Sequence, residues 1–333
     1  MTFAAAYTFA KPLKNITTVL LDQNSLGPQL DFSPFETLPL DWKSFKQSTT
    51  KETLQRIQNA EIIISNKVVL SRKTLQQAKQ LKLICIAATG CNNVDLQAAT
   101  DMGITVCNVK DYSTASVVQH VFAVLLALTT QQAAHQQAVQ EGKWQTSPFF
   151  CLFEQPIYEL GGKTLGIVGY GTLGKAVAHV ASAFGMKVLL AQRPDSSSAQ
   201  PNRLPLHQLL PQVDVLSLHC PLTPVTQNLI GTNELALMKP SALLINTARG
   251  GIVDEHALAT ALQNGTLAGA AIDVLSQEPP GNRNPLLQKN NPNLILTPHV
   301  AWASVESRQR LLQQLAQNIA AFLNGTPRNV VTP

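Results

Sequence analysis

The sequence predicts an α/β protein built on two parallel sheets, and three observations carry that expectation. Short β-rich apolar runs alternate with stretches at helical spacing along almost the whole chain. A glycine-rich turn lies between two such runs near the middle of the sequence rather than at one end. Finally, 333 residues exceed one ordinary core at a prior of about 150 residues per domain. The domain holding the turn must therefore have sequence of another domain on both sides.

Taken in order, Met1 to Ala10 is apolar but has no positive charge ahead of its short apolar run, so it reads as a loose or edge segment and not as a signal peptide. Ile16–Leu21, Glu61–Ser65 and Leu81–Ala87 are β-rich, with helical stretches at Lys51–Gln58 and Ser71–Leu81 between them. The third run feeds Ala88 to Asp95, a small polar loop at a strand's carboxyl end, where open α/β sheets bind ligands. A plain turn shaped by Gly90, Asn92 and Asn93 fits the same residues. After Ile104–Val106, the apolar spacing of Ser113–Thr129 predicts a long helix that leads into the second domain. Gly142–Pro156, with its glycine, prolines and aromatics, reads as a linking loop.

Leu165 to Ala178 runs Leu-Gly-Ile-Val-Gly-Tyr-Gly-Thr-Leu-Gly-Lys-Ala-Val-Ala. Gly169, Gly171 and Gly174, interleaved with Thr172 and Leu173, form the G-x-G-x-x-G of a dinucleotide-binding turn. The first glycine permits a tight turn, the second lets backbone NH groups approach a pyrophosphate, and the third lets helix and strand pack closely. A strand before the turn, helical spacing over Leu173–Phe184 and a further strand at Lys187–Leu190 complete a βαβ unit whose helix points its positive end at the phosphates.

The rhythm continues through Asp214–His219, Ala242–Asn246, Gly269–Val274 and Leu294–Thr297, with helices over Asn233–Met238 and Asp254–Asn264. Asp254 suits a helix N-cap. A final helix over Ser304–Leu323 is expected to return to the first domain, giving two chain crossings and a cleft between domains. The expected division is 1–111 with 300–333 for the substrate domain and 112–299 for the dinucleotide-binding domain.

Three of these strands end in ionisable residues: Arg249 after Asn246-Thr247-Ala248, Asp273 followed by Glu278, and His299 after Thr297-Pro298. Beside a hydride donor they supply what reduction of a 2-keto acid requires. Hydride arriving at the keto carbon leaves negative charge on oxygen, which a histidine discharges by giving a proton. A carboxylate at the other ring nitrogen fixes the tautomer and keeps the imidazolium populated. Arginine, permanently charged and fork-shaped, suits a planar carboxylate. Singly, each residue also fits an ordinary surface or loop role.

Composition excludes other classes. With 45% apolar and 14% charged residues the chain suits a packed globular protein. Its net charge of +5 is scattered, and the densest basic stretch, Arg308 to Arg310, reads as a solvated helix face, so no nucleic-acid partner is indicated. Cys85, Cys91, Cys107, Cys151 and Cys220 lack metal or disulfide spacing, which fits a reducing cytoplasm and no metal. No run approaches the roughly 20 apolar residues of a membrane span.

On Thr89–Asp95, Tyr112–His120, Gly142–Trp144, Glu159–Gly174, His219–Thr223, Asn246–Asp254, Asp273–Pro279 and Thr297–His299, the chain resembles the D-2-hydroxyacid dehydrogenases, in particular their glycerate dehydrogenase or hydroxypyruvate reductase branch. The resemblance implies a Rossmann-type nucleotide domain inserted into a flavodoxin-like substrate domain. It also implies that Arg249 binds the substrate carboxylate and carbonyl, that Glu278 pairs with His299, and that His299 is the acid/base. Gly90 and Cys91 would offer backbone NH groups to the carboxylate. Ser113–Gln119, His219, Cys220, Pro221, Thr247 and Ala248 would line the cofactor, and Asp273 would face the nicotinamide amide. Family members are usually homodimers joined through their nucleotide domains.

Two departures bear on specificity. Cys91 and Asn92 stand where relatives often carry an aliphatic residue and an acid. The second strand ends Leu190-Ala191-Gln192-Arg193, without the acid that reads ribose hydroxyls in the NAD pattern. Arg193 could pair with a 2′-phosphate, which favours NADP(H); a solvent-facing Arg193 with Gln192 on the ribose would leave NAD(H) usable too. The expected activity is reduction of a small 2-keto acid such as hydroxypyruvate or glyoxylate; a third possibility keeps catalysis but changes substrate to phosphite or formate, and the Glu278/His299 pairing argues against formate, whose relatives tend to carry glutamine at the Glu278 position. A nucleotide-sensing corepressor of the same fold is the other class, and the absence of any tail-like sequence before Pro333 weighs towards the enzyme.

Overall fold

The computed structural model describes residues 15–194, 196, 200–288, 291 and 293–333; the segment Met1 to Ala10 lies outside these. The chain divides into two compact units, one comprising the residues up to Ser113 together with Ala303–Pro333, the other Thr114–Trp302.

The first unit contains β1 (Ile16–Leu20), β2 (Leu40–Ser44), α1 (Thr50–Arg56), β3 (Ile62–Ser65), α2 (Arg72–Leu75), β4 (Leu83–Ile86), α3 (Leu96–Asp101) and β5 (Thr105–Cys107). Its all-parallel sheet has the order β2-β1-β3-β4-β5, the flavodoxin-like arrangement. Every residue of β3 and β4 is buried, which is why they read as unbroken apolar runs. Each isoleucine so buried stabilises the sheet by about 1.5–3 kcal/mol. β2 is an edge strand, largely exposed, and its Asp41-Trp42-Lys43 gives no such run. The helix expected over Ser71–Leu81 is only four residues long. Beyond it Ala78 and Leu81, buried at intervals of three after Leu75, each close an i→i+3 turn, so the segment follows the sheet as turns.

The second unit contains α4 (Thr114–Thr130), α5 (Gln132–Gln140), β6 (Thr164–Val168), α6 (Thr172–Ala183), β7 (Lys187–Leu190), α7 (Leu206–Leu209), β8 (Val215–Leu218), α8 (Thr232–Leu237), β9 (Leu243–Asn246), α9 (Glu255–Gln263), β10 (Gly269–Ile272) and β11 (Leu294–Leu296). Its parallel sheet runs β11-β10-β9-β8-β6-β7. Beyond β7 the place of a further strand is taken by one parallel bridge, Ala191 with Leu204. Both faces are covered. Val117, Val121 and Leu125 of α4 and Val177 and Ala181 of α6 pack on one, while Leu235, Leu258 and Leu262 of α8 and α9 pack on the other. Asp254 caps α9 by accepting from the NH groups of His256 and Ala257.

α10 (Val305–Leu323) belongs to the first unit and packs against β4 through a stripe that includes Leu311, Leu312, Leu315 and Ile319. Its N-cap is Ser304, which accepts from the Ser307 NH. Arg308 is not on a solvated face: it is buried, and its guanidinium donates to the carbonyls of Leu26, Pro28 and Ala303. Arg310 likewise donates through Nε to the Tyr112 carbonyl. Spacing alone missed this because the carbonyls come from a segment far away in sequence. No single helix among the described residues is long and apolar enough to cross a membrane; α4 and α5 together have the length but are bent by 54°, and α4 contributes to the core.

Candidate active site

The site is built from adjacent strand ends of the second unit. At the end of β6, Gly169 has φ +93°, and a Cβ there would stand 2.6 Å from backbone atoms of His219 and Cys220. A Cβ on Gly174 would stand 2.1 Å from the Gly169 carbonyl oxygen. Both glycines are demanded by the protein's own packing. Gly171 differs, because a Cβ there would meet nothing within 4 Å. It is the N-cap of the 12-residue α6 and brings no side-chain cap, so the positive helix end faces open space, which suits a pyrophosphate. Thr172 is exposed on the first turn, and Leu173 packs towards the core.

Next to this turn, β8 ends in His219, Cys220 and Pro221. Burial lowers the His219 pKa to about 4, so its ring is neutral. Its Nε2 lies 2.8 Å from the Ser217 hydroxyl, while its Nδ1 is enclosed without a hydrogen-bond partner among the described residues. Burial pushes the Cys220 thiol up to about 11. At the end of β9, the buried hydroxyl of Thr247 is likewise unpartnered. Two enclosed polar atoms beside an open helix N-terminus fit a polar ligand such as a dinucleotide. Gln192, half-buried after β7, is held by its NH on the Leu204 carbonyl, and the exposed Arg193 follows it.

Arg249 is placed by Asn246, a fully enclosed side chain whose Oδ1 accepts from the Ala248 NH and whose Nδ2 donates to the Arg249 carbonyl. The guanidinium is exposed, donates to the Ala248 carbonyl at 2.7 Å, and forms no ion pair with any described residue. Gly250 lets this turn meet the next loop, since a Cβ on it would fall 1.8 Å from the Leu275 carbonyl oxygen.

Asp273, buried after β10, organises the last part of the site. Its carboxylate accepts from the Thr297 hydroxyl at 2.6 Å and from the NH groups of Val300 and Ala301 at 2.9 Å each. His120 of α4 joins through Nε2, 3.1 Å from the Thr297 hydroxyl and 3.8 Å from the carboxylate. The segment so held presents His299. This residue adopts φ +55°, uncommon for a side chain with a Cβ, and is fixed at both backbone ends. Its NH donates to the Asp273 carbonyl at 2.8 Å, and its carbonyl accepts from the Trp302 indole at 3.0 Å.

His299 Nδ1 lies 2.6 Å from Glu278 Oε2, and Glu278 Oε1 accepts from the Leu275 NH at 2.9 Å. The carboxylate thus has a fixed orientation and takes the proton on Nδ1 in its hydrogen bond, leaving Nε2 as the nitrogen that can give or receive one. The structure therefore brings Arg249, Glu278, His299 and the glycine turn into one unit. Gly90 and Cys91 lie in the other, on the loop after β4, where Asn108 donates to the Thr89 carbonyl and burial raises the Cys91 thiol above its ordinary value. Sequence reasoning did not single out Asn246, Gly250 or Trp302. Thr297 and His120 lay within segments it used but had no assigned role. Among the described residues no three His, Cys, Asp or Glu side chains are grouped to hold a metal ion.

Residues 122–301 match the profile described as D-isomer specific 2-hydroxyacid dehydrogenase, NAD binding domain. The chain is 46% identical to the glycerate dehydrogenase of Methylorubrum extorquens, an alignment covering 94% of this chain and 98% of that one. It is 38% identical to the hydroxypyruvate reductase of Blautia hydrogenotrophica, over 94% and 98% of the two chains. Among solved structures, an acyclic imino acid reductase in complex with NADPH and D-Arg superposes with a TM-score of 0.83 at 28% identity, covering 95% of this chain and all of the other.

Proposed function

Because the chain belongs to the D-isomer specific 2-hydroxyacid dehydrogenase family, we propose that it reduces a small 2-keto acid, hydroxypyruvate or glyoxylate, to the D-2-hydroxy acid, with NADPH favoured over NADH. The observation that carries this reading is the 2.6 Å contact between His299 Nδ1 and Glu278 Oε2 on a segment anchored by buried Asp273.

A nicotinamide dinucleotide, when bound, would supply hydride for the keto carbon. The protein does the rest. Arg249 offers its fork to the substrate carboxylate and carbonyl, fixing the keto group and withdrawing charge from its oxygen. His299 gives the Nε2 proton to that oxygen as negative charge develops, and Glu278, bonded to Nδ1, orients the ring for that transfer. Asp273, through the backbone of 299–301, keeps the donor at a constant position. Gly169, Gly171 and Gly174 with the first turn of α6 would hold the pyrophosphate, and Thr247 and His219 offer the enclosed polar atoms beside it.

The lack of an acid at Ala191–Arg193, directly after β7, and the presence of Arg193 support the NADPH preference. Exposed Trp144, Phe149, Phe150 and Phe153 on one connection, the last three at 70%, 91% and 86% exposure, form the kind of apolar surface that a second copy of the chain would cover, and we take the protein to be a homodimer. The deciding experiment follows NADPH or NADH oxidation by purified protein across a panel of 2-keto acids. Turnover of hydroxypyruvate or glyoxylate is expected. Cofactor binding without turnover of any member would instead favour a nucleotide sensor.

A further inference from the structure

The connection after β7 returns to the sheet at the bridge between Ala191 and Leu204, sealed by Leu204 NH to the Leu190 carbonyl at 2.9 Å and Gln192 NH to the Leu204 carbonyl at 2.8 Å. That return carries Arg203 to the end of β7. Its Nη1 donates to the Ala191 carbonyl at 3.2 Å, and its Cζ lies 5.8 Å from the centroid of the Tyr170 ring. Tyr170 is the residue between Gly169 and Gly171. The half-buried guanidinium is thus held on one side by a strand-end carbonyl and on another by an aromatic ring of the glycine turn, within cation–π range.

We propose that Arg203 is a specificity-determining residue, the group that reads the 2′-phosphate of NADPH. The proposal rests on the NADPH preference argued above and deepens it. In the dinucleotide pattern the ribose is read at the end of the second strand and the pyrophosphate at the glycine turn. Arg203 is hydrogen-bonded to the first of these places and lies within cation–π range of the second, although it is 33 residues from Tyr170 in sequence. Arginine carries five N–H donors in a planar fork. Among the described residues only Nη1 is engaged in a hydrogen bond, so the other face of the fork can meet a phosphate dianion. The hydrogen bond to the Ala191 carbonyl and the cation–π approach to Tyr170 restrict the side chain in advance, so less conformational freedom is lost on binding. Lys175, whose Nζ is 6.0 Å from the same ring centroid, adds a second cation nearby. Arg193 is different: its side chain is exposed and makes no hydrogen bond or ion pair to the described residues, so it has no comparable restraint.

The test measures NADPH, NADH, adenosine 2′,5′-bisphosphate and AMP binding to the full-length protein and to Arg203→Gln, Arg203→Lys and Arg193→Ala. Arg203→Gln is expected to weaken NADPH and the bisphosphate by roughly 10- to 100-fold, the loss of a charge-assisted contact, while NADH and AMP change less than about threefold. Arg203→Lys should recover part of the NADPH loss, because it keeps charge but not the fork. Retained NADH binding by Arg203→Gln also reports that the variant is folded. Equal weakening of all four ligands would make Arg203 a structural clamp and overturn the proposal. So would an unchanged NADPH to NADH ratio in Arg203→Gln, or a ratio that moves only in Arg193→Ala. A wild-type protein that binds NADH more tightly than NADPH refutes the NADPH preference; the ratio in Arg203→Gln still decides the role of Arg203.

Discussion

Alanine substitutions at the three glycines of the β6–α6 turn should separate structural need from ligand need. At Gly171 the backbone is extended, with φ −86° and ψ −158°, and the added methyl meets nothing. Stability should change by less than about 1 kcal/mol, since reduced freedom of the unfolded chain offsets the weaker N-cap. At Gly169 the methyl meets three backbone atoms at 2.6 Å, on a residue already forced to φ +93°. The left-handed conformation alone costs about 1–3 kcal/mol, and displacement of the His219–Cys220 backbone brings the total to roughly 3–5 kcal/mol. Gly174→Ala, with its methyl 2.1 Å from the Gly169 oxygen, belongs with Gly169→Ala. Affinity should sort the variants the other way. Gly171→Ala places a methyl where the pyrophosphate must approach and should weaken NADPH binding about tenfold or more, the equivalent of one lost charge-assisted hydrogen bond. Urea unfolding gives the first quantity and fluorescence titration with NADPH the second. The reasoning is refuted if Gly171→Ala binds NADPH as wild type does, or if Gly169→Ala unfolds at the wild-type urea concentration.

Further expectations concern the proton donor, acid stability and assembly. His299→Ala should lower kcat for keto-acid reduction by about 10²- to 10⁴-fold, and a loss under about threefold would remove it from the reaction. Glu278→Gln should retain cofactor binding but lower kcat, because the carboxylate that fixes the His299 ring through Nδ1 is lost; an unchanged kcat would deny it the supporting role. His219, neutral in the fold with its pKa lowered from 6.5 to about 4, contributes stability that is complete above pH 6.5 and is lost as pH falls towards 4. The loss is at most about 3 kcal/mol, since the residue keeps some exposed surface. His219→Asn should therefore flatten the dependence of unfolding free energy on pH in that interval, and a wild-type-like slope in the variant would contradict the burial argument. Phe150→Asp with Phe153→Asp should yield monomers by light scattering if the exposed aromatics cover one another between copies; an unchanged molar mass would place the interface elsewhere.

What could be read from sequence follows from where the information lies. Central strands such as β3 and β8 are buried at every residue, so their runs were plain, and ionisable residues directly after such runs stood out. The glycines at 169, 171 and 174 were legible because their spacing is local. β2 was not, since an edge strand with Asp41 and Lys43 has little to bury. α5, Gln-Ala-Ala-His-Gln-Gln-Ala-Val-Gln, buries only Ala138 and offers no apolar stripe. The partners of Arg308, and the closeness of Arg203 to Tyr170, depend on approaches between segments far apart in the chain, and periodicity cannot report those.

Gly250 gives the site a mechanical property. Because its turn rests directly on the Leu275–Ser276 backbone, and Leu275 NH in turn holds Glu278, the turn that carries Arg249 and the Glu278 carboxylate are joined through one backbone contact. A displacement of either is transmitted to the other. Arg249 and Glu278 should consequently be energetically coupled although they do not bond to each other, so that the combined substitution costs less than the sum of the two. Tolerance to error at this end of the sheet is then set by one missing methyl group, in a residue that takes no part in the chemistry.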